Sequence, residues 1–249
     1  MSQKFGLITG CGKGIGFSIA KKLLVENKEI ILLGISRTTN SEVEKLQIEN
    51  KDRFIFHQAD ILNTEKIKLI LENEQKKSGP ISFAICNAGI RSRLPIKDSS
   101  LNKYRAIIET NTISNINIAK ILIENAIREN CKCNILFISS IVGSRGFDEL
   151  STYAVSKSAL EGFMRSAAIE YAKQNIQINC LAPGFIESSY AKKFKKDNKA
   201  LYEWTISQTP MGRWGNCDEI ADLVLFLVSE KNSYMTGSVI YSDGGWTAK

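Results

Sequence analysis

Tyr153 and Lys157 lie four residues apart in a helical stretch, so they share a face. A phenol with a pKa near about 10 is a poor acid or base at neutral pH. A nearby ammonium, or an oxidised nicotinamide ring, favours the phenolate and turns such a pair into a proton relay. The spacing alone means little, because it arises by chance in many helices. Ser139 and Ser140 give it a setting, since they close a strand-like run where a hydroxyl can hydrogen-bond a reacting carbonyl oxygen. The turn Cys86-Asn87-Ala88-Gly89 closes another such run, and Asn111 falls in the long helical stretch after it.

A second group of residues is suited to phosphate. The run Thr9-Gly10-Cys11-Gly12-Lys13-Gly14-Ile15-Gly16 follows the first strand-like stretch and opens the first helix. Glycines there let the chain turn sharply and let a pyrophosphate approach bare N–H groups at a helix N-terminus. The next strand-like run ends Gly34-Ile35-Ser36-Arg37, and no acid occurs between Ile30 and Asn40 to hold a ribose 2′-hydroxyl. Arg37 offers a fork for a 2′-phosphate and Lys13 adds charge, so NADP(H) is favoured over NAD(H). Asp60 and Ile61, after the third strand-like run, are placed to touch the adenine edge; a turn or cap role for Asp60 stays open.

These groups need elements to position them. Short apolar runs at 5–9, 29–35, 54–58, 81–86, 135–139, 176–181 and 239–242 alternate with helical patterns, including 101–128 and 153–173. Apolar strands between helices predict a parallel sheet covered on both faces. The expected fold is α/β: a Rossmann-type doubly wound parallel sheet in a single domain over 1–249. The stretch 188–209 departs from this rhythm. It is lysine-rich, with Lys192-Lys193-Phe194-Lys195-Lys196, and carries Tyr190, Phe194, Tyr202 and Trp204. It reads as an inserted helical flap, either a surface excursion or a substrate lid.

Composition excludes several classes. The chain has 249 residues, 43% apolar and 24% charged, as in an ordinary globular protein. No apolar run reaches the roughly 20 residues of a membrane helix, and the opening Met-Ser-Gln-Lys leads directly into a strand-like stretch without a signal peptide. The six cysteines lie mostly in apolar runs and read as reduced, cytoplasmic thiols. With His57 the single histidine and no ligand-spaced cluster, no metal site is expected. The net charge of +7 raises nucleic-acid binding, but the lysines are scattered, so a solvated surface is the reading.

Taken together, the motifs resemble the short-chain dehydrogenase/reductase family over essentially the whole chain. Thr9-Gly10 through Gly16 is similar to its glycine motif, Asn87-Ala88-Gly89 to its strand-four turn, and Pro183-Gly184 to its turn beside the nicotinamide. Asn111, Ser140, Tyr153 and Lys157 fall on its catalytic tetrad; Ser140 is preferred to Ser139 because it stands thirteen residues before the tyrosine. The resemblance implies that Tyr153 protonates a carbonyl oxygen, that Ser140 polarises it, and that hydride passes from the nicotinamide to the carbonyl carbon. It implies that Lys157 favours the phenolate and holds the ribose, and that Asn111 supports a water linking the lysine to solvent. Ile186 and Ser188 are implied cofactor contacts, and a homotetramer is the implied assembly. Two departures stand out: Cys86 replaces an Asn, and Ser188 stands where a Thr is usual.

The substrate is less determined. Pro183-Gly184-Phe185-Ile186-Glu187 is similar to 3-oxoacyl carrier-protein reductases, yet Cys131 and Gln174 occupy the positions of that group's two carrier-gripping arginines. Arg128, Lys132 and Lys173 lie nearby. The segments 210–215 and 243–248 are similar to sugar and polyol dehydrogenases. Arg91 and Arg93 follow the strand-four turn, and at least one is expected to contact substrate. Two alternatives remain, a cofactor-binding sensor or scaffold without catalysis and a nucleotide-sugar epimerase or dehydratase. The complete tetrad weighs against the first and the chain length against the second.

Overall fold

The computed structural model describes residues 4–249, with the side chains of Ser189, Tyr190, Lys192 and Lys193 outside the described set. The chain starts β1 (Lys4–Thr9), α1 (Gly14–Glu26), β2 (Ile30–Ser36), α2 (Ser41–Glu49), β3 (Phe54–Gln58), α3 (Thr64–Ser78) and β4 (Phe83–Cys86). Then come α4 (Leu101–Ile108), a π-helical turn (Glu109–Ile113), α5 (Ser114–Arg128), β5 (Cys133–Ile138), α6 (Ser151–Tyr171) and β6 (Ile176–Pro183). The last part holds β7 (Ile186–Glu187), α7 (Ser189–Asp197), α8 (Lys199–Gln208), β8 (Gly215–Asn216), α9 (Cys217–Leu227) and β9 (Val239–Ser242).

Seven of the strands form one parallel sheet in the order β3-β2-β1-β4-β5-β6-β9. Successive residues of each strand point to opposite faces, and each face has its own core. Leu7, Ile135 and Phe137 pack with Ile67, Ile118, Leu160 and Met164, on the side of α3, α5 and α6. Ile8, Leu136 and Ile138 pack with Ile19, Leu23, Val43, Ile220 and Val224, on the side of α1, α2 and α9. Burial on both faces is why the strands read as continuous apolar runs rather than alternating ones. The fold is the doubly wound α/β single domain expected. No helix among the described residues is long and apolar enough to cross a membrane. The expectation about a leader rests on residues 1–3, outside the described residues.

One local feature was not legible as a pattern, and the expected helical flap gains its internal structure. The long helical stretch is interrupted by the π-helical turn at Glu109–Ile113, which contains Asn111. The extra residue in that turn leaves carbonyls without their usual partners, and the buried Asn115 amide takes them up, donating to the carbonyls of Asn111 at 2.9 Å and Thr110 at 3.4 Å. The flap is two short helices, α7 and α8, entered and left by the two-stranded pair β7–β8. Its aromatic residues have a packing reason. Phe194 and Tyr202 are buried with Trp214, and the Trp214 indole donates to Thr205 at 2.8 Å. Tyr190, Lys192 and Lys193 fall outside the described side chains.

Candidate active site

The strand order reverses between β1 and β4, where a doubly wound sheet opens a crevice at its carboxyl edge. The glycine run crosses that edge. Gly10 and Gly14 have φ of +69° and +58°, a region that glycine enters without strain. A Cβ on Gly16 would stand 2.3 Å from the Gly10 carbonyl oxygen and 2.5 Å from Asn87 Nδ2, so helix and turn meet only because no side chain intervenes. α1 begins with no side-chain cap and no acid in its first turn. Its first N–H groups and the positive end of its dipole are therefore open to an anion. Dinucleotide phosphates fit this cradle.

The groove contains most of the residues singled out for a cofactor. Gly10, Gly12, Lys13, Gly14, Ile15 and Gly16 form one wall; Ser36, Arg37, Asp60 and Ile61 form the far end. Asn87, Ala88, Gly89 and Ser188 close it toward the sheet centre. Arg37 stands 4.0 Å from Asp60, the arginine exposed and the aspartate half-buried. Asp60 also accepts from the Leu62 amide at 3.0 Å, so its turn role is real alongside its place in the groove. Lys66, which no sequence motif marked, lies with Arg37 and Asp60 in a shallow extension of this end. Thr9 is different: it is fully buried and does not line the groove. Its hydroxyl accepts from the Asn87 and Ala88 amides, both at 3.1 Å, while the Asn87 side chain donates to the carbonyls of Thr9 and Gly10. These bonds clamp the β4 turn to the glycine turn. Asn40, also unmarked in the sequence, donates to the Gly12 carbonyl at 2.7 Å while capping α2.

A second pocket adjoins the groove through Ile15, Asn87, Gly89 and Ser188, which line both. Ser140, Tyr153 and Lys157 line it, as do Pro183 and Gly184 at the end of β6 and Ile186 in β7. Lys157 is only 4% exposed; its Nζ donates to the Ile138 carbonyl at 2.6 Å and sits 5.6 Å from the Tyr153 ring centre. Asn111 is wholly buried and does not line the pocket. Its amide closes a reciprocal pair with the Ile90 backbone, accepting at 2.7 Å and donating at 2.8 Å, and donates to Ser156 at 3.0 Å. Asn111 thus joins the β4 turn to α6.

The two serines separate clearly. Ser139 is buried and donates to Glu161 Oε1 at 2.6 Å. Ser140 is half-buried at the pocket wall, and its hydroxyl accepts only a long bond, 3.3 Å, from the Val142 amide. The arginines separate too. Arg91 lines the pocket, whereas Arg93 is turned to Glu149, 3.1 Å away, in a neighbouring depression with Trp204 and Trp246. The remaining pocket wall is apolar: Ile90, Val142, Phe147, Leu150 and Phe185. Sequence reasoning did not mark these as a wall, because no spacing joins residues from three separate segments. Burial pushes the Cys11 and Cys86 thiols up to about 12, so both stay protonated and neither is a nucleophile at neutral pH.

A family model described as enoyl-(acyl carrier protein) reductase, of the short-chain dehydrogenase/reductase type, matches residues 10–247. The chain belongs to the short-chain dehydrogenase/reductase family. It is 31% identical over 245 residues to 3-oxoacyl-acyl-carrier-protein reductase FabG of Buchnera aphidicola, with 98% of each chain covered. It is 25% identical over 243 residues to 2-dehydro-3-deoxy-D-gluconate 5-dehydrogenase of Formosa agariphila, covering 97% of this chain and 92% of that one. Both subgroups suggested by the motifs are therefore represented among its relatives. The solved structure of ElxO with NADP bound matches with a TM-score of 0.90 and 29% identity, covering 99% of this chain and 100% of that one. That of 4-hydroxyisoleucine dehydrogenase complexed with NADH matches with a TM-score of 0.91 and 26% identity, covering 99% of each. As a family member, the chain is an NAD(P)-dependent oxidoreductase acting on CH–OH and ketone groups.

Proposed function

We propose that this enzyme interconverts an apolar ketone and its secondary alcohol with NADP(H), a 3-oxoacyl thioester being the leading substrate class. The observation that carries the reading is the meeting of Ser140, Tyr153 and Lys157 in a pocket continuous with the glycine-lined groove. NADPH, when held in the groove, would supply a hydride to the carbonyl carbon. Tyr153 gives the proton that the carbonyl oxygen takes up, and Ser140 donates a hydrogen bond to that oxygen. Lys157 favours the phenolate left behind and holds the ribose. Asn111, whose side chain is taken up by the Ile90 backbone and Ser156, positions the β4 turn against the helix that carries Tyr153 and Lys157. In alcohol oxidation each role reverses. The glycine turn and the start of α1 hold the pyrophosphate, Asp60 and Ile61 the adenine side, and Pro183, Gly184, Ile186 and Ser188 the nicotinamide side.

NADP(H) is preferred on the strength of Arg37 and Lys66 at the open end of the groove. The NADP-bound neighbour agrees with this choice, although a neighbour binds NADH. The apolar wall favours an acyl or other apolar ketone over a polyol, whose hydroxyls would lose water without regaining partners. Arg91 at the pocket is the residue proposed to meet a negatively charged part of the substrate. The flap, residues 188–209, is proposed as the lid, since β7 continues directly from the pocket wall into α7. A homotetramer in the cytoplasm is the proposed form. Ile113, Ile127, Val155 and Ile169, exposed around α5 and α6, supply apolar surface for subunit contacts.

The test is a cofactor-consumption screen of NADPH and NADH against acetoacetyl thioesters, simple ketones, keto sugars and polyols. The expected result is NADPH-dependent turnover of a thioester or apolar ketone, weakened in Arg91→Ala. Turnover restricted to sugars or polyols, or a clear preference for NADH, would overturn the substrate or the cofactor assignment respectively.

A further inference from the structure

Behind the reactive pair lies an acid that the scheme above does not use. Glu161 is on α6, one turn beyond Lys157 and two beyond Tyr153. It is 4% exposed, in a helix whose inward face is otherwise mostly apolar or small. Its Oε1 accepts from the Ser139 hydroxyl at 2.6 Å. It also fills space that glycine leaves open: a Cβ at Gly143 would stand 2.4 Å from Oε1. The carboxyl thus closes the gap between α6, the end of β5 and the turn after it. Those segments carry Ser140 and the Ile138 carbonyl that holds Lys157.

We propose that Glu161 is a positioning residue for proton transfer, its negative charge offsetting that of Lys157 at the phenol while Ser139 holds the carboxyl in place. The proposal rests on the reading of Tyr153 and Lys157 given above. Among the described residues the charged and titratable groups around Glu161 are Lys157 and Arg165 on its own helix and Cys180 from β6. Ser139 and Gly143 face it from β5 and the following turn. Burial pushes the carboxyl above the ordinary carboxylate range, and the Ser139 hydroxyl, Arg165 and Lys157 pull it part of the way back. In its charged form Glu161 weakens the field of the ammonium at the tyrosine hydroxyl. Removing that charge strengthens the field and lets the phenolate form at lower pH. Removing the Ser139 hydroxyl, which favours the carboxylate, makes Glu161 harder to ionise.

The experiment measures the pH profile of kcat/KM for alcohol oxidation in the wild type, Glu161→Gln and Ser139→Ala. Glu161→Gln keeps a hydrogen-bond acceptor and loses only the charge. Its profile is expected to move to lower pH by roughly half a unit or more, the size expected when one partly buried charge is removed. The KM for NADP+ should stay within about twofold, since the groove is untouched. In Ser139→Ala the profile should follow that of Glu161→Gln at the acid end and return toward the wild type as pH rises. A merely structural role would lower kcat without moving the profile. Superimposable profiles for wild type and Glu161→Gln overturn the proposal. If Glu161→Gln fails to fold, Ser139→Ala decides: a profile identical in shape to the wild type overturns it. Retention of most activity in Tyr153→Phe would instead overturn the underlying reading, a distinguishable result.

Discussion

The cofactor groove and the substrate pocket share a wall, yet they are built by different means. The groove is made largely of backbone, from one turn at the end of β1 and the start of one helix, with side chains added at its open end. The pocket is made of side chains brought in by the β4 turn, the segment between β5 and α6, α6 itself and the end of β6. A backbone site binds what all dinucleotides share, and it tolerates little change in the residues that form it. A side-chain site can be relined without disturbing the sheet. The comparison teaches that the chemistry and the cofactor are constrained together, while the substrate is free to differ among relatives as unlike as a 3-oxoacyl reductase and a sugar-acid dehydrogenase.

The sharpest way to break this picture is Tyr153→Phe. It should lower kcat by roughly 10²–10⁴-fold, the usual share of general acid catalysis, while NADPH affinity measured by fluorescence stays nearly constant. A large loss of cofactor affinity would mean that the two regions are not separable at the tyrosine. Next in size is Arg37→Ala. Loss of one charge-assisted contact to a 2′-phosphate should raise the KM for NADPH about 10–100-fold and leave that for NADH unchanged, collapsing the cofactor preference. Equal effects on both cofactors would place Arg37 outside recognition.

The pocket wall is tested by Phe147→Ala. Phe147 stacks on Trp246 with centroids 5.6 Å apart and meets Phe185 edge-on at 6.1 Å. Its loss should raise the KM for an apolar ketone by roughly tenfold, the worth of about 1.5 kcal/mol of aromatic burial, with NADPH binding unchanged. The smallest effect concerns the return from the flap. Arg213 forks onto Glu219 at 2.9 and 2.7 Å, and the Asn216 amide donates to the same carboxyl, lowering it from 4.5 to about 2. A carboxyl depressed in the folded state contributes stability above its unfolded value, and that stability is lost as pH falls through the folded value. The melting temperature of the wild type should therefore exceed that of Glu219→Gln at pH 5–7. The gap should narrow as pH falls from about 4.5 toward 2. The group is exposed, so the difference should be slight.

Much of the candidate site could be read in advance because its residues are close in sequence or sit at strand ends. Tyr153 and Lys157 are one turn apart, and Gly10 to Gly16 is a single run. Arg37 and Asp60 follow the ends of β2 and β3, so the sheet brings them to one edge. Other residues resisted. Thr9 belongs to the motif but is spent inside it, as a clamp. Arg91 and Arg93 look equivalent in sequence, and only Glu149, 56 residues away, draws Arg93 aside. The π-helical turn carries no pattern of its own, because one extra residue in a turn barely changes apolar spacing.

Sequence by itself determined the doubly wound sheet, the glycine cradle and the Tyr153–Lys157 pair, because each depends on periodicity or on neighbours in the chain. Tertiary structure decided that Ser139, beside Ser140 on the pocket wall, is buried and held by Glu161. It decided that Asn111 acts through the Ile90 backbone and Ser156, and that the pocket is lined with apolar side chains. Those outcomes depend on contacts between segments 20 to 100 residues apart, set by packing of the whole sheet and its helices rather than by any local rule.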